Sequence, residues 1–130
     1  MTRKQPRVAD YLDHIVQAIE RATACLDGLP DAAALETKWM EQDAVIRSIT
    51  VIGEAATKIL KVDPAFVAQH AQVPWQQMSA MRNRVVHDYF EVDLDVVWST
   101  VMHDLPVLRQ QVQAILDRIR PVVPENAPRQ

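Results

Sequence analysis

Eight apolar residues toward the C-terminal end, Leu94, Trp98, Val101, Leu105, Leu108, Val112, Ile115 and Ile119, succeed one another at steps of three and four. That step is the period of an α-helix and lays one apolar stripe along its side. The same spacing runs through Val8, Leu12, Ile15, Ile19, Ala22 and Leu26, and again through Val45, Ile49, Ile52, Ala56 and Ile59. Three such stripes must bury one another, and no strand-length stretch alternates with period two between turn signals. The pattern predicts an all-α, up-and-down bundle of four to five helices. Pro106 falls inside the last stripe and predicts a kink or break, because its ring clashes with the preceding turn.

The breaks between stripes carry their own chemistry. "DGLPD" at 27–31 offers Gly28 to end a helix, then Pro30, then Asp31 as an N-cap. "VDP" at 62–64 sets Asp63 as N-cap with Pro64 at the first helical position. "VPW" at 73–75 interrupts the chain, and Asp93 in "EVDLD" caps the next helix. After Arg120, "PVVPENAPRQ" is proline-rich and polar, so residues 1–120 are expected to form the helical domain and 121–130 a disordered tail.

With 130 residues, 48% of them hydrophobic, the chain can bury a core without metal or disulfide. The single cysteine, Cys25, has no partner in the chain and fits a reducing compartment as a small buried hydrophobe. "MTRKQPRVADYLDHIV" is no secretory signal, and no apolar run approaches the roughly 20 residues that span a bilayer. A soluble, cytoplasmic protein is expected. The net charge of −3 disfavours a nonspecific duplex binder but leaves room for a local basic site.

The second stripe is flanked by Ile46, Val51, Ala55 and Leu60, so its helix is apolar on more than one side. Such a helix is central to the bundle or partly buried by a second subunit. Gly53, mid-helix, costs about 1 kcal/mol against alanine, and close helix approach explains it. Dimerisation through this helix is the second expectation.

"RNRVVHDYF" at 82–90 gathers two arginines, a histidine, an aspartate and a tyrosine. Placed on one helix with "MSAM", it puts Met78, Met81 and Val85 on the apolar face. Arg82 and Tyr89 then nearly eclipse, and Asn83 lies one turn before His87. Arg82 and His87 fall about 140° apart, so one regular helix does not join them. A long arginine arm, a helix distorted near His87, or a second subunit would each close the gap. Singly, Arg84 and Asp88 make a surface ion pair, His87 a solvated histidine, and Tyr89 and Phe90 packing.

Together, Arg, four residues, His, one residue and Tyr in "RNRVVHDY" resemble the signature of the HepT toxins within the HEPN superfamily. "QDAVIRSITVIGEAATKIL" at 42–60, "VPWQQMSAMRNRVVHDYFEVDLDVVW" at 73–98 and "DLPVLRQQV" at 104–112 extend the resemblance from about residue 8 to 120. It implies a HEPN-like helical homodimer whose Arg and His motifs face each other across the interface. It also implies a metal-independent endoribonuclease with no cofactor. Arg82 and His87 then form the catalytic pair, with Asn83 orienting the imidazole or touching the phosphate. The 2′-hydroxyl attacks and leaves a 2′,3′-cyclic phosphate, so DNA resists. The resemblance further implies a type VII-like toxin–antitoxin pair. Its partner, an MntA-type nucleotidyltransferase antitoxin, attaches AMP to Tyr89, in a complex of two or more chains.

Two other readings compete. A non-catalytic module would use Arg82, His87 and Tyr89 to hold a nucleotide or present substrate to a nucleotidyltransferase. A helical metal phosphohydrolase would use His70, His87–Asp88 and His103–Asp104, in a chain short for that fold and without a His pair at i, i+4. Glu54, in "IGEAA", is a candidate supporting residue able to reach Arg82 or His87 across the bundle. His14 and His70 are expected at the surface without a role.

Overall fold

The computed structural model describes residues 8–87 and 91–120, with His87 through its backbone alone. The tail at 121–130 therefore lies outside the described residues. Helix α1 spans Val8–Leu26 and ends at Gly28, whose φ of 81° is open to glycine without strain. A 3-10 turn at Ala32–Leu35 comes next, capped by Asp31 through the Ala34 amide. Helix α2 spans Trp39–Val62, and the Gln42 amide ties its start to the Leu35 carbonyl. Helix α3, Pro64–Gln69, begins under the Asp63 cap with proline in its first turn.

Two one-turn helices succeed it, α4 at Trp75–Ser79 and α5 at Met81–Val85. Val86–His87 and Glu91–Val92 form a short antiparallel pair, β1 and β2. Helix α6, Leu94–Ser99, starts from the Asp93 cap. It widens into a π-helical turn at Thr100–Asp104 before α7, Leu105–Ile119, which carries Pro106 in its first turn. The break expected at Pro106 is thus taken up one turn earlier. Proline lacks the amide that would close the ladder, and the wider turn relieves its ring against the carbonyl before it.

Among the described residues, α1 to α7 make an all-α bundle. Helix α2 is central, with α1 on one side and α4 and α5 on the other, and α7 packs on α1. The core is one cluster that includes Leu12, Ile15, Ile49, Ile52, Met78, Leu105 and Ile115. The last stripe does not hold to its end: Ile119 is 48% exposed. Arg109–Glu20 and Arg120–Asp10 join α7 to α1 at 2.8 and 2.9 Å. All four side chains are about half exposed, so each pair contributes at most about 1 kcal/mol. Among the described residues, no helix is long and apolar enough to cross a membrane.

Candidate functional site

The segment expected to be one helix is broken twice. Ala80, at φ −94° and ψ 0°, closes α4 and opens α5. At Val86 the backbone turns extended, at φ −120° and ψ 116°. Val86 pairs with Val92, His87 pairs with Glu91, and the Asp93 amide donates to the Val85 carbonyl at 2.8 Å. The β-branched Val86 suits that conformation, and its buried side chain anchors it in the core.

The helical relationships inferred for this stretch therefore lapse. Arg82 and His87 are not 140° apart on one helix, and Asn83 is not one turn before His87; the Arg82–Tyr89 relationship lies outside the described residues. The helix distorts just before His87 instead. The expected Arg84–Asp88 pair lies outside the described residues. Asp88, Tyr89 and Phe90 lie outside the described residues, as does the His87 side chain.

Arg82 and Asn83 are exposed at the start of α5 and open into a groove of about 510 Å³. Helix α2 forms its other wall with Thr50, Gly53, Glu54, Thr57 and Lys58, and Ser79 closes it from α4. The groove exists because α2 and α4 approach closely at Gly53. A Cβ there would stand 3.1 Å from the Met78 carbonyl oxygen and 3.3 Å from that of Ser79. Beside that contact Thr57 Oγ1 lies 2.7 Å from Ser79 Oγ and also donates to the Gly53 carbonyl at 2.8 Å.

Three of the sequence candidates, Arg82, Asn83 and Glu54, thus share one groove. Glu54, Lys58 and Arg82 converge there with no ion pair among the described residues. Two cations, one carboxylate, an amide and hydroxyls can grip a phosphodiester and hydrogen-bond a ribose. Sequence inspection missed Lys58, Thr57 and Ser79. Lys58 was legible as the residue one turn after Glu54 on the polar side of α2; the two hydroxyls had no such signal.

Arg84 points to the opposite side of α5. It lines a second groove of about 490 Å³ with residues that include Gln77, Met81, His103 and Asp104. His103 and Asp104 are exposed there, on the π-helical turn. His70 is not a bare surface residue: its ring packs on Phe66 at 4.5 Å between centroids, and its carbonyl accepts from Trp75 Nε1 at 2.9 Å. Among the described residues, no three His, Cys, Asp or Glu side chains gather as a metal site. Cys25 is half buried between α1 and α2, and desolvation, then the nearby Glu41 carboxylate, push its thiol above the ordinary range.

Comparison with known proteins gives one consistent result. The family profile described as Ribonuclease HepT-like matches residues 15–115. A protein of Thermococcus cleftensis named "Probable ribonuclease HepT" is 36% identical over 112 residues, which is 82% of this chain and 93% of that one. A protein of Caldanaerobacter subterraneus subsp. tengcongensis, named as a candidate RNase, is 32% identical over 115 residues, covering 88% and 97%. A longer protein of Methanocaldococcus jannaschii, named as a gamma-glutamylcyclotransferase and candidate RNase, is 32% identical over 109 residues, 84% of this chain and 47% of that one. No solved structure matches the chain.

Proposed function

Since the chain belongs to the HepT-like ribonuclease family, we propose that it is an endoribonuclease that needs no metal and works through Arg82 and His87. The observation that carries this is the shared groove, in which Arg82 and Asn83 meet Glu54 and Lys58 just before the chain turns into His87. A guanidinium there grips the scissile phosphate by two parallel hydrogen bonds and offsets the charge that builds on its oxygens. An imidazole is the side chain type suited to moving protons near physiological pH, and in this reading His87 takes the 2′-hydroxyl proton or returns one to the leaving 5′-oxygen. Asn83 contacts the phosphate, and Glu54 accepts from a ribose or base donor. Two copies of the motif in a homodimer supply acid and base together.

In the same reading the protein is the toxin of a type VII-like pair. Its partner, an MntA-type nucleotidyltransferase antitoxin, neutralises it by attaching AMP to Tyr89. Tyr89 is two residues from His87. Added phosphates so close occupy the anion site and repel an RNA backbone.

The test is RNA cleavage by unmodified protein in EDTA, with Arg82→Ala and His87→Ala alongside and product ends identified. Cleavage to 2′,3′-cyclic phosphates, abolished in both variants, is the expected result. A protein free of any Tyr89 adduct that leaves RNA intact would instead favour the nucleotide-binding module. For the partner, Tyr89→Phe should escape AMP transfer; full modification of that variant would refute the assigned acceptor.

A further inference from the structure

Helix α5 buries Met81 and Val85 and exposes the residues between them, Arg82, Asn83 and Arg84. With about 3.6 residues per turn, those three fan over the outer side of the helix with Asn83 in the middle. Arg82 and Asn83 open into the groove against α2, and Arg84 opens into the groove against α7. One strip of donors thus runs from groove to groove across a single turn of helix.

The Arg84 groove differs from its neighbour in having an apolar floor. Met78, Met81 and Leu108 are buried beneath it, and Val107, 56% exposed, stands as an apolar wall. Gln77, Arg84, His103 and Asp104 are exposed on its rim. The Gln111 amide donates to the Gln72 carbonyl at 3.2 Å, which ties α7 to the loop before α4 and fixes the two walls relative to each other. A volume of about 490 Å³ is that of a small-molecule site, typically ~300–1,000 Å³. Thioethers and a valine suit the face of a heterocycle, while a carboxamide and a carboxylate bond its edge. Asp104 repels a phosphate but accepts from an exocyclic amine. Arg84, a permanent cation, takes the phosphate instead.

We propose that this groove holds one nucleotide of the RNA strand whose scissile phosphate lies in the Arg82 groove. The base lies against Met81 and Val107 with its amino edge on Asp104 and Gln77, and its phosphate meets Arg84 and a His103 N–H. Such a specificity subsite deepens the ribonuclease reading and rests on it. A single strand drawn across Asn83 reaches both grooves, because its bases are free to splay out of a stack. A paired duplex does not, since its bases stay stacked. Adenine, cytosine and guanine each offer Asp104 an exocyclic amine. Uracil has none and is the base the groove disfavours.

The experiment titrates the full chain with short 2′-O-methyl RNA oligomers, which lack the free 2′-hydroxyl and are not cut. Methyl NMR of labelled methionine reports the place of binding, and fluorescence anisotropy reports the affinity. Oligo-C and oligo-A should shift the Met78 and Met81 methyls and leave Met40, at the start of α2, unmoved. Arg84→Gln should weaken binding about ten-fold and lower its salt slope by about 0.7. Val107→Ser should weaken it about five-fold, and oligo-U should bind about ten-fold more weakly than oligo-C. Both substituted positions are exposed, so folding is spared. An oligomer that binds without moving Met81, variants that bind as wild type, or oligo-U held as tightly as oligo-C overturns the subsite. So does AMP alone, if it moves the same methyls at lower concentration than the oligomers, since the groove would then serve a free nucleotide. None of these readings needs cleavage. An oligomer seated in the groove of a protein that leaves ordinary RNA intact refutes the ribonuclease and spares the subsite; cleavage with unmoved Met81 does the reverse.

Discussion

Thr57 Oγ1 lies 2.7 Å from Ser79 Oγ, a hydroxyl pair that fastens the middle of α2 to the end of α4 one turn before Arg82. The bond is partly buried, and Thr57 also donates to the Gly53 carbonyl within its own helix. One hydroxyl cannot donate its single proton to both at once, so Ser79 is the donor whenever Thr57 bonds to Gly53. Thr57→Val keeps the shape and removes both roles. It should lower stability by about 1 kcal/mol, and Ser79→Ala by a similar amount. The double variant should lose less than the sum, because the pair shares one bond. Strict additivity in denaturant unfolding would show that the two hydroxyls are not coupled.

Gly53 tests the close approach itself. Alanine gains about 1 kcal/mol of helix propensity. Its Cβ, however, meets two backbone carbonyl oxygens at 3.1 and 3.3 Å, and backbone yields less readily than a side-chain tip. Overpacking of this kind costs about 1–3 kcal/mol. The clash should win, lowering the melting temperature and displacing α4 with the Arg82 groove. A Gly53→Ala protein more stable than wild type would mean that α2 and α4 part without penalty.

Arg82 is exposed, so its replacement should leave folding untouched and act on chemistry alone. Arg82→Lys keeps the charge and loses the planar fork. Losing an oriented donor to a developing anion typically reduces turnover about 10²-fold or more. Single-turnover cleavage by Arg82→Lys should fall by that order with an unchanged melting temperature. Wild-type rates in the lysine variant would show that charge alone suffices there.

Cys25 supplies a pH test. Burial and then Glu41 raise its thiol pKa, so its thiolate forms only above the range of a free cysteine. Alkylation by iodoacetamide at neutral pH should be slower than for a model thiol. Its rate should keep rising at pH values where the model thiol has levelled off. Glu41→Gln removes the smaller cause and should shift the profile partway down. A neutral-pH rate equal to that of free cysteine would contradict the raised pKa.

Much of the bundle was legible because its signals are local. Helical period, the caps at Asp31, Asp63 and Asp93, the turn at Gly28 and the disturbance around Pro106 all arise from residues within a turn or two of one another. The close approach at Gly53 was also readable, since mid-helix glycine has few other uses in a bundle.

The candidate site was legible in its residues but not in its geometry. The resemblance of "RNRVVHDY" to the HepT signature pointed to Arg82, Asn83 and His87, and "IGEAA" pointed to Glu54. That helix α5 stops at Val85 depends on Val86 finding Val92 across a reversal of the chain, a contact no helical period encodes. The groove that joins Glu54, Lys58, Thr57 and Ser79 to Arg82 depends on how α2 seats against α4 and α5. The sequence by itself determined where the long helices lie and which residues are candidates for the chemistry, because period, capping and a local motif act within a few turns. Only the tertiary structure decided which of those residues meet, because that is set by packing between segments far apart in the chain.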